Sequence, residues 1–179
     1  MQSLKKLRAA SMATPVDFRF IKYLADVGSK IRMVDYESIN AKTTLAGIFG
    51  KAKYVAILFH IIINGKPTPV GHWCLLVKGP PIRFFDSLGL GLHKILKLTH
   101  EEGHLLKLLG RRKWENSTQR LQTQGSHFKE CGCFVGLRAR FGKLTNTQFV
   151  KFIRSGGKPD ETAVMLALLH YISFYAKNK

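Results

Sequence analysis

The chain has 179 residues, 45% of them hydrophobic, enough for one domain with a sizeable core. Lys and Arg total 29 against 11 Asp and Glu, a net charge of +18, which points to a polyanion partner, with nucleic acid the commonest. No run of 18 apolar residues exists, so no helix is expected to span a membrane.

In chain order, residues 1–14 form a basic arm that ends at Pro15 and is expected to fray, and residues 15–179 form the single domain. Met1 to Arg8 is basic but lacks an apolar core and a cleavage site, so it does not read as a signal peptide. Phe18, Phe20, Ile21, Leu24 and Val27 recur at helical spacing and predict a first helix over 17–30, stopped by Gly28. Tyr54 to Ile63 is short, apolar and β-branched, which predicts a buried strand. Asn64-Gly65 predicts a turn, residues 66–71 a loop, and His72 to Val77 a second strand. After a turn over Lys78 to Pro81, Ile82 to Asp86 predicts a third strand, ended by Ser87 to Gly91.

Residues 92–109 predict one helix, with Leu92, Ile95, Leu96, Leu105, Leu106 and Leu109 on one side. A short strand is expected at Arg120 to Thr123, a helix at Cys131 to Phe141, a loop at Ser155 to Pro159 and a last helix at Asp160 to Tyr175. The resulting order defines an α+β domain, a small mixed or antiparallel sheet flanked by helices.

Cys131 opens a predicted helix, where free N–H groups and the helix dipole stabilise a thiolate, and Gly132 lets a substrate backbone approach closely. If the two strands either side of Gly79 pair about that residue, His72 lies opposite Asp86, with Cβ atoms roughly 4.5–5.5 Å apart on one face. A carboxylate there takes an imidazole N–H and fixes its tautomer. Gln124, seven residues before Cys131, supplies an amide donor of the kind that stabilises a developing oxyanion. A thiol, a base, a base orienter and an amide donor are the parts of a cysteine protease. The bland alternatives are a small buried hydrophobe at a helix start, a surface histidine and a turn-capping aspartate.

Cys74 shares a strand face with His72 and reads as packing, Cys133 as helix interior, and Gln119 and Gln122 as surface glutamines. Three cysteines without a disulfide framework argue for a reducing compartment. A competing motif, His100-Glu-Glu-Gly-His104, matches H-E-x-x-H, the zinc-protease pattern. Its face is basic and looks solvated, and no well-spaced third ligand follows, so no metal is expected.

Gly71-His72-Trp73, Phe84-Phe85-Asp86-Ser87-Leu88-Gly89, Gln124-Gly125 and Cys131-Gly132 occur in that order over residues 54–141. In this the chain resembles the adenovirus-type (adenain-like) maturation cysteine proteases, of a wider group that includes the SUMO and ubiquitin-like deconjugating proteases. The seven-residue step from Gln124 to Cys131 is similar to the viral branch. The resemblance implies Cys131 as nucleophile at the N-terminus of a central helix and His72 as general base. It implies Asp86 as orienter, Gln124 in the oxyanion hole and Trp73 packed beside the site.

It further implies a monomeric endopeptidase that cuts viral capsid or core precursors during virion maturation, working in the virion and host-cell interior, with a virophage or large mobile DNA element as a fitting source. No cofactor is needed for the chemistry. DNA is expected as a non-specific partner and activator, bound through backbone phosphate. No cysteine lies between Cys74 and Cys131, so a disulfide-linked activating peptide is not expected. The alternatives are a SUMO or ubiquitin-like deconjugating protease and a non-catalytic basic nucleic-acid-binding protein.

Overall fold

The computed structural model describes residues 18–110, 112–122, 130–159, 162, 163 and 166. The basic arm, Gln124 and most of the predicted last helix lie outside these residues. Five strands form one mixed sheet in the order β1-β2-β3-β4-β5: β1 (Ile31–Asp35), β2 (Tyr54–Ile63), β3 (Lys66–Val77), β4 (Ile82–Phe85) and β5 (Trp114–Asn116). The central β2/β3 and β3/β4 pairs are antiparallel; β1 runs parallel to β2 and β5 parallel to β4. Among the described residues six helices with both ends defined accompany it: α1 (Phe18–Ala25), α2 (Leu45–Phe49), α3 (Leu92–Thr99), α4 (His104–Leu109), α5 (Glu130–Arg140) and α6 (Asn146–Ser155).

The fold is α+β, with helices on both faces of the sheet. On one face, Ala56, Leu75, Val77 and Phe85 meet Ile21 and Leu24 of α1, Phe134 and Leu137 of α5, and Phe149 and Ile153 of α6. On the other, Val55, Ile57, Cys74, Leu76 and Phe84 meet Phe49 of α2, Leu92 and Ile95 of α3, and Leu105 and Leu109 of α4. The period-2 alternation of a strand is why neighbours such as Cys74 and Leu75 serve opposite cores. Residues 131–139 of α5 are all buried, as expected of a helix wrapped by its surroundings rather than lying on the surface.

Several expectations from the sequence need correction. Residues 66–71 are strand, not loop: Asn64 (φ 52°) and Gly65 (φ 73°) form a two-residue turn, and Ile63 pairs with Lys66 across it. Pro67 is tolerated because β4 pairs with β3 only at Leu75 to Val77, leaving the outer side of this stretch without a strand neighbour among the described residues. The first helix ends at Ala25, before a 3-10 turn at Gly28–Lys30. β1, α2 and α6 were not anticipated. Residues 120–122 are not strand; the last strand is β5, seated on β4.

The helix expected over 92–109 is two helices. His100 adopts the left-handed conformation (φ 54°) and closes α3, and α4 starts afresh at His104. Leu105 is nine residues beyond Leu96, about half a turn out of phase on a continuous helix. The break lets Leu92, Ile95, Leu96, Leu105 and Leu109 all reach one core. It also removes the zinc-protease reading, because His100 and His104 no longer share a helix; His104 instead pairs with Glu102 at 2.8 Å.

Candidate active site

β4 leaves the ladder at Phe85, and the chain turns at Asp86. The observed register pairs Leu75 with Phe85 and Leu76 with Phe84, which extends to Cys74, not His72, opposite Asp86. The expected register was therefore off by two residues. An even slip preserves the face, so His72 and Asp86 still meet, as diagonal neighbours. His72 Nε2 lies 2.6 Å from Asp86 Oδ1, and both residues are buried.

The carboxylate is heavily engaged. Oδ1 also accepts the Leu88 N–H at 2.9 Å, and Oδ2 accepts the N–H groups of Leu90 at 2.8 Å and Gly91 at 3.2 Å. The Ser87–Gly91 loop, read from sequence as a strand breaker, is thus a cradle of amides around one carboxylate. Three of these partners are backbone N–H groups that can only donate; they favour the ionised carboxylate, and the His72 nitrogen facing it is then the protonated one. Burial alone would raise the Asp86 pKa, but the His72 contact and the Leu88 and Leu90 amides outweigh it and hold it below its ordinary 3.8. For His72, burial alone would favour the neutral ring; the Cys74 sulfur, the Asp86 hydrogen bond and the Cys131 sulfur override it and hold the pKa well above 6.5.

Cys131, in the first turn of α5, approaches from the opposite face of the sheet. Beyond the point where β4 ends, the Trp73 N–H of β3 donates to Cys131 Sγ at 3.4 Å. The thiol therefore fills a gap at the sheet edge, and its sulfur lies close enough to act on the His72 ring. His72 Nδ1, the ring nitrogen not used by Asp86, is buried and has no hydrogen-bond partner. It is the ring nitrogen left to exchange a proton with a thiol.

Trp73 is partly buried against the α5 side of the core, and Gly132 is buried in α5. Gln124 falls outside the described residues. The segment leading to it was misread: Gln122 is 2% exposed, not a surface residue. Its side-chain oxygen accepts the Ser87 hydroxyl at 2.9 Å, and the Leu121 and Gln122 N–H groups both donate to Ser87 O. Gly89 (φ 66°) lies so close beneath this segment that a Cβ there would sit 2.5 Å from Arg120 N. The acid loop and the strand-to-helix connection before Cys131 are thus tied together, a relationship with no local signal in the sequence.

Burial pushes the Cys74 and Cys133 thiols up to about 12, which makes both poor nucleophiles. None of the three cysteines is in a disulfide.

No family model matches the chain, and no curated protein matches it in sequence. Among solved structures, it is similar to the SUMO protease Ulp1 with its catalytic cysteine oxidised to a sulfinic acid. That likeness covers 87% of this chain and 76% of the other, at 14% identity and a TM-score of 0.36.

Proposed function

We propose that this protein is a cysteine protease in which Cys131, His72 and Asp86 act together. The observation that carries the reading is the buried Asp86–His72 pair, with Nδ1 open and the Cys131 sulfur beside the same ring. His72 takes the Cys131 proton as the sulfur attacks a scissile carbonyl. The oxyanion that forms is met by the Cys131 N–H and the Gln124 amide, a donor of the second kind being worth roughly 3 kcal/mol. The imidazolium then passes its proton to the leaving amine, and water, deprotonated by His72, releases the acyl group from sulfur. Asp86 holds the ring in place and stabilises its charged form.

The substrates we propose are capsid or core precursors cut during virion maturation. The Gln124-to-Cys131 spacing and the +18 charge, suited to travel on packaged DNA, support this over removal of SUMO or ubiquitin-like modifiers. Cleavage of a modifier fusion but not of precursor peptides would reverse that choice. DNA dependence is checked by activity with and without DNA at low and high salt; a response to neither removes DNA from the proposal.

The protease reading is tested by iodoacetamide labelling of each cysteine, read by mass spectrometry from about pH 4 to pH 9. Cys131 should label far faster than Cys74 and Cys133, and His72→Ala should abolish the difference. Equal, slow labelling of all three, with tight DNA binding, would favour a non-catalytic nucleic-acid-binding protein.

A further inference from the structure

Cys74 is a buried thiol that the proposed mechanism does not use. It follows His72 by two residues on the same face of β3 and, by extension of the register, stands opposite Asp86. A nitrogen of His72, the Cys74 sulfur and an Asp86 oxygen all lie within 4.8 Å of one another, and all three residues are buried. Among the described residues no other three His, Cys, Asp or Glu side chains converge in this way.

We propose that His72, Cys74 and Asp86 form an inhibitory binding site for a soft divalent cation, with zinc the best match. One nitrogen, one sulfur and one oxygen donor suit zinc, whereas magnesium and calcium prefer oxygen alone. Zinc bonds of about 2.0–2.3 Å place tetrahedral ligand atoms roughly 3.3–3.8 Å apart, so a donor pair at the 4.8 Å limit draws in by at most about 1.5 Å and the 2.6 Å His72–Asp86 pair opens by about 1 Å. Binding releases the Cys74 thiol proton to solvent and shifts the imidazole proton from Nε2 to Nδ1, so the ring coordinates as a neutral ligand. Two anionic ligands then balance the dication. The Leu88, Leu90 and Gly91 amides keep the carboxylate in position while it exchanges an imidazole proton for a metal. With the ring occupied, nothing remains to accept the Cys131 proton. The inhibitory consequence rests on the protease reading; metal binding itself does not.

The two are separated by working first on Cys131→Ala, which is inactive under any reading of the site. Zinc is titrated against a chromophoric chelator, and cobalt(II) is used for the near-ultraviolet charge-transfer band of a cobalt–thiolate bond. One zinc per chain and a cobalt band are expected. Adding Cys74→Ala should weaken zinc by more than about a hundredfold and erase the band. Cys74→Ser and His72→Ala serve as further ligand deletions, each checked for folding by circular dichroism. A missing band, or unchanged zinc affinity without Cys74, overturns the site. In the otherwise unaltered chain, zinc should slow alkylation of Cys131; in Cys74→Ala, zinc should leave that variant's own metal-free rate unchanged. Reactive Cys131 with no cobalt band sinks the metal site alone; slow Cys131 labelling in metal-free protein, with the band present, sinks the protease reading alone.

Discussion

His72 and Asp86 meet at 2.6 Å although they are not cross-strand partners. The residue that continues the ladder opposite Asp86 is Cys74, and the imidazole reaches the carboxylate diagonally. The carboxylate can wait there, buried and charged, because the loop that follows it turns three backbone N–H groups inward.

Asp86→Asn tests that cradle. An amide offers one oxygen where the carboxylate offered two, and its NH2 would face donors. We expect a loss of stability of roughly 2–4 kcal/mol, read by urea unfolding, together with slower alkylation of Cys131. Full stability in Asp86→Asn would show that the four contacts do not depend on charge.

The same pair sets a pH dependence. The Asp86 pKa is lowered in the folded chain, so its contribution is present above about 3.8 and is lost as pH falls through the folded value. The His72 pKa is raised, so its contribution is present below about 6.5 and is lost as pH rises through the folded value. The pair therefore stabilises most between about pH 4 and 6.5. Urea midpoints measured across pH should fall on both sides of that window, and His72→Ala should flatten the alkaline side.

Gly89→Ala should be costly for a residue this small. The positive φ disfavours any side chain, and the added carbon would meet Arg120 N at 2.5 Å. Roughly 1–3 kcal/mol of backbone strain is expected, plus displacement of the segment that leads to Cys131. Unfolding midpoints and Cys131 labelling should both decline; a change in neither would mean that the 119–122 segment moves freely of the site.

Arg138 is the largest fully buried side chain among the described residues. Its guanidinium donates to Asn146 Oδ1 at 3.1 Å and to Leu144 O at 2.8 Å, and lies 5.7 Å from the Phe149 ring centre. Burial, with Arg83 nearby, lowers its pKa to about 10. Arg138→Ala should destabilise by about 3 kcal/mol or more, since it orphans buried acceptors and opens a cavity. Arg138→Lys should rescue little, because a single ammonium cannot reproduce the fork. Thermal unfolding of the two variants checks both statements.

The features legible in the sequence are those encoded by near neighbours. An apolar β-branched run marked β2, the turn over Lys78 to Pro81 marked the start of β4, Asn64-Gly65 marked a turn, and the apolar stretch after Cys131 marked α5. His72, Asp86 and Cys131 were chosen on residue type and spacing, and the structure brings them to one place. What the sequence could not display was the outcome of competition between distant segments. β1 and β5 pair in parallel with the next and the preceding strand through helix-containing crossovers, so no tight turn announces them. The break at His100 exists because two leucine stripes half a turn out of phase must reach one core. The β3/β4 register follows from packing on both faces, not from the symmetry of the intervening turn. Gln122 and the Ser87–Gly91 amides carry no local pattern at all. Period and turn chemistry act over a few residues and can be read along the chain; burial, hydrogen-bond satisfaction and charge compensation are settled only when remote segments exclude water from the same space.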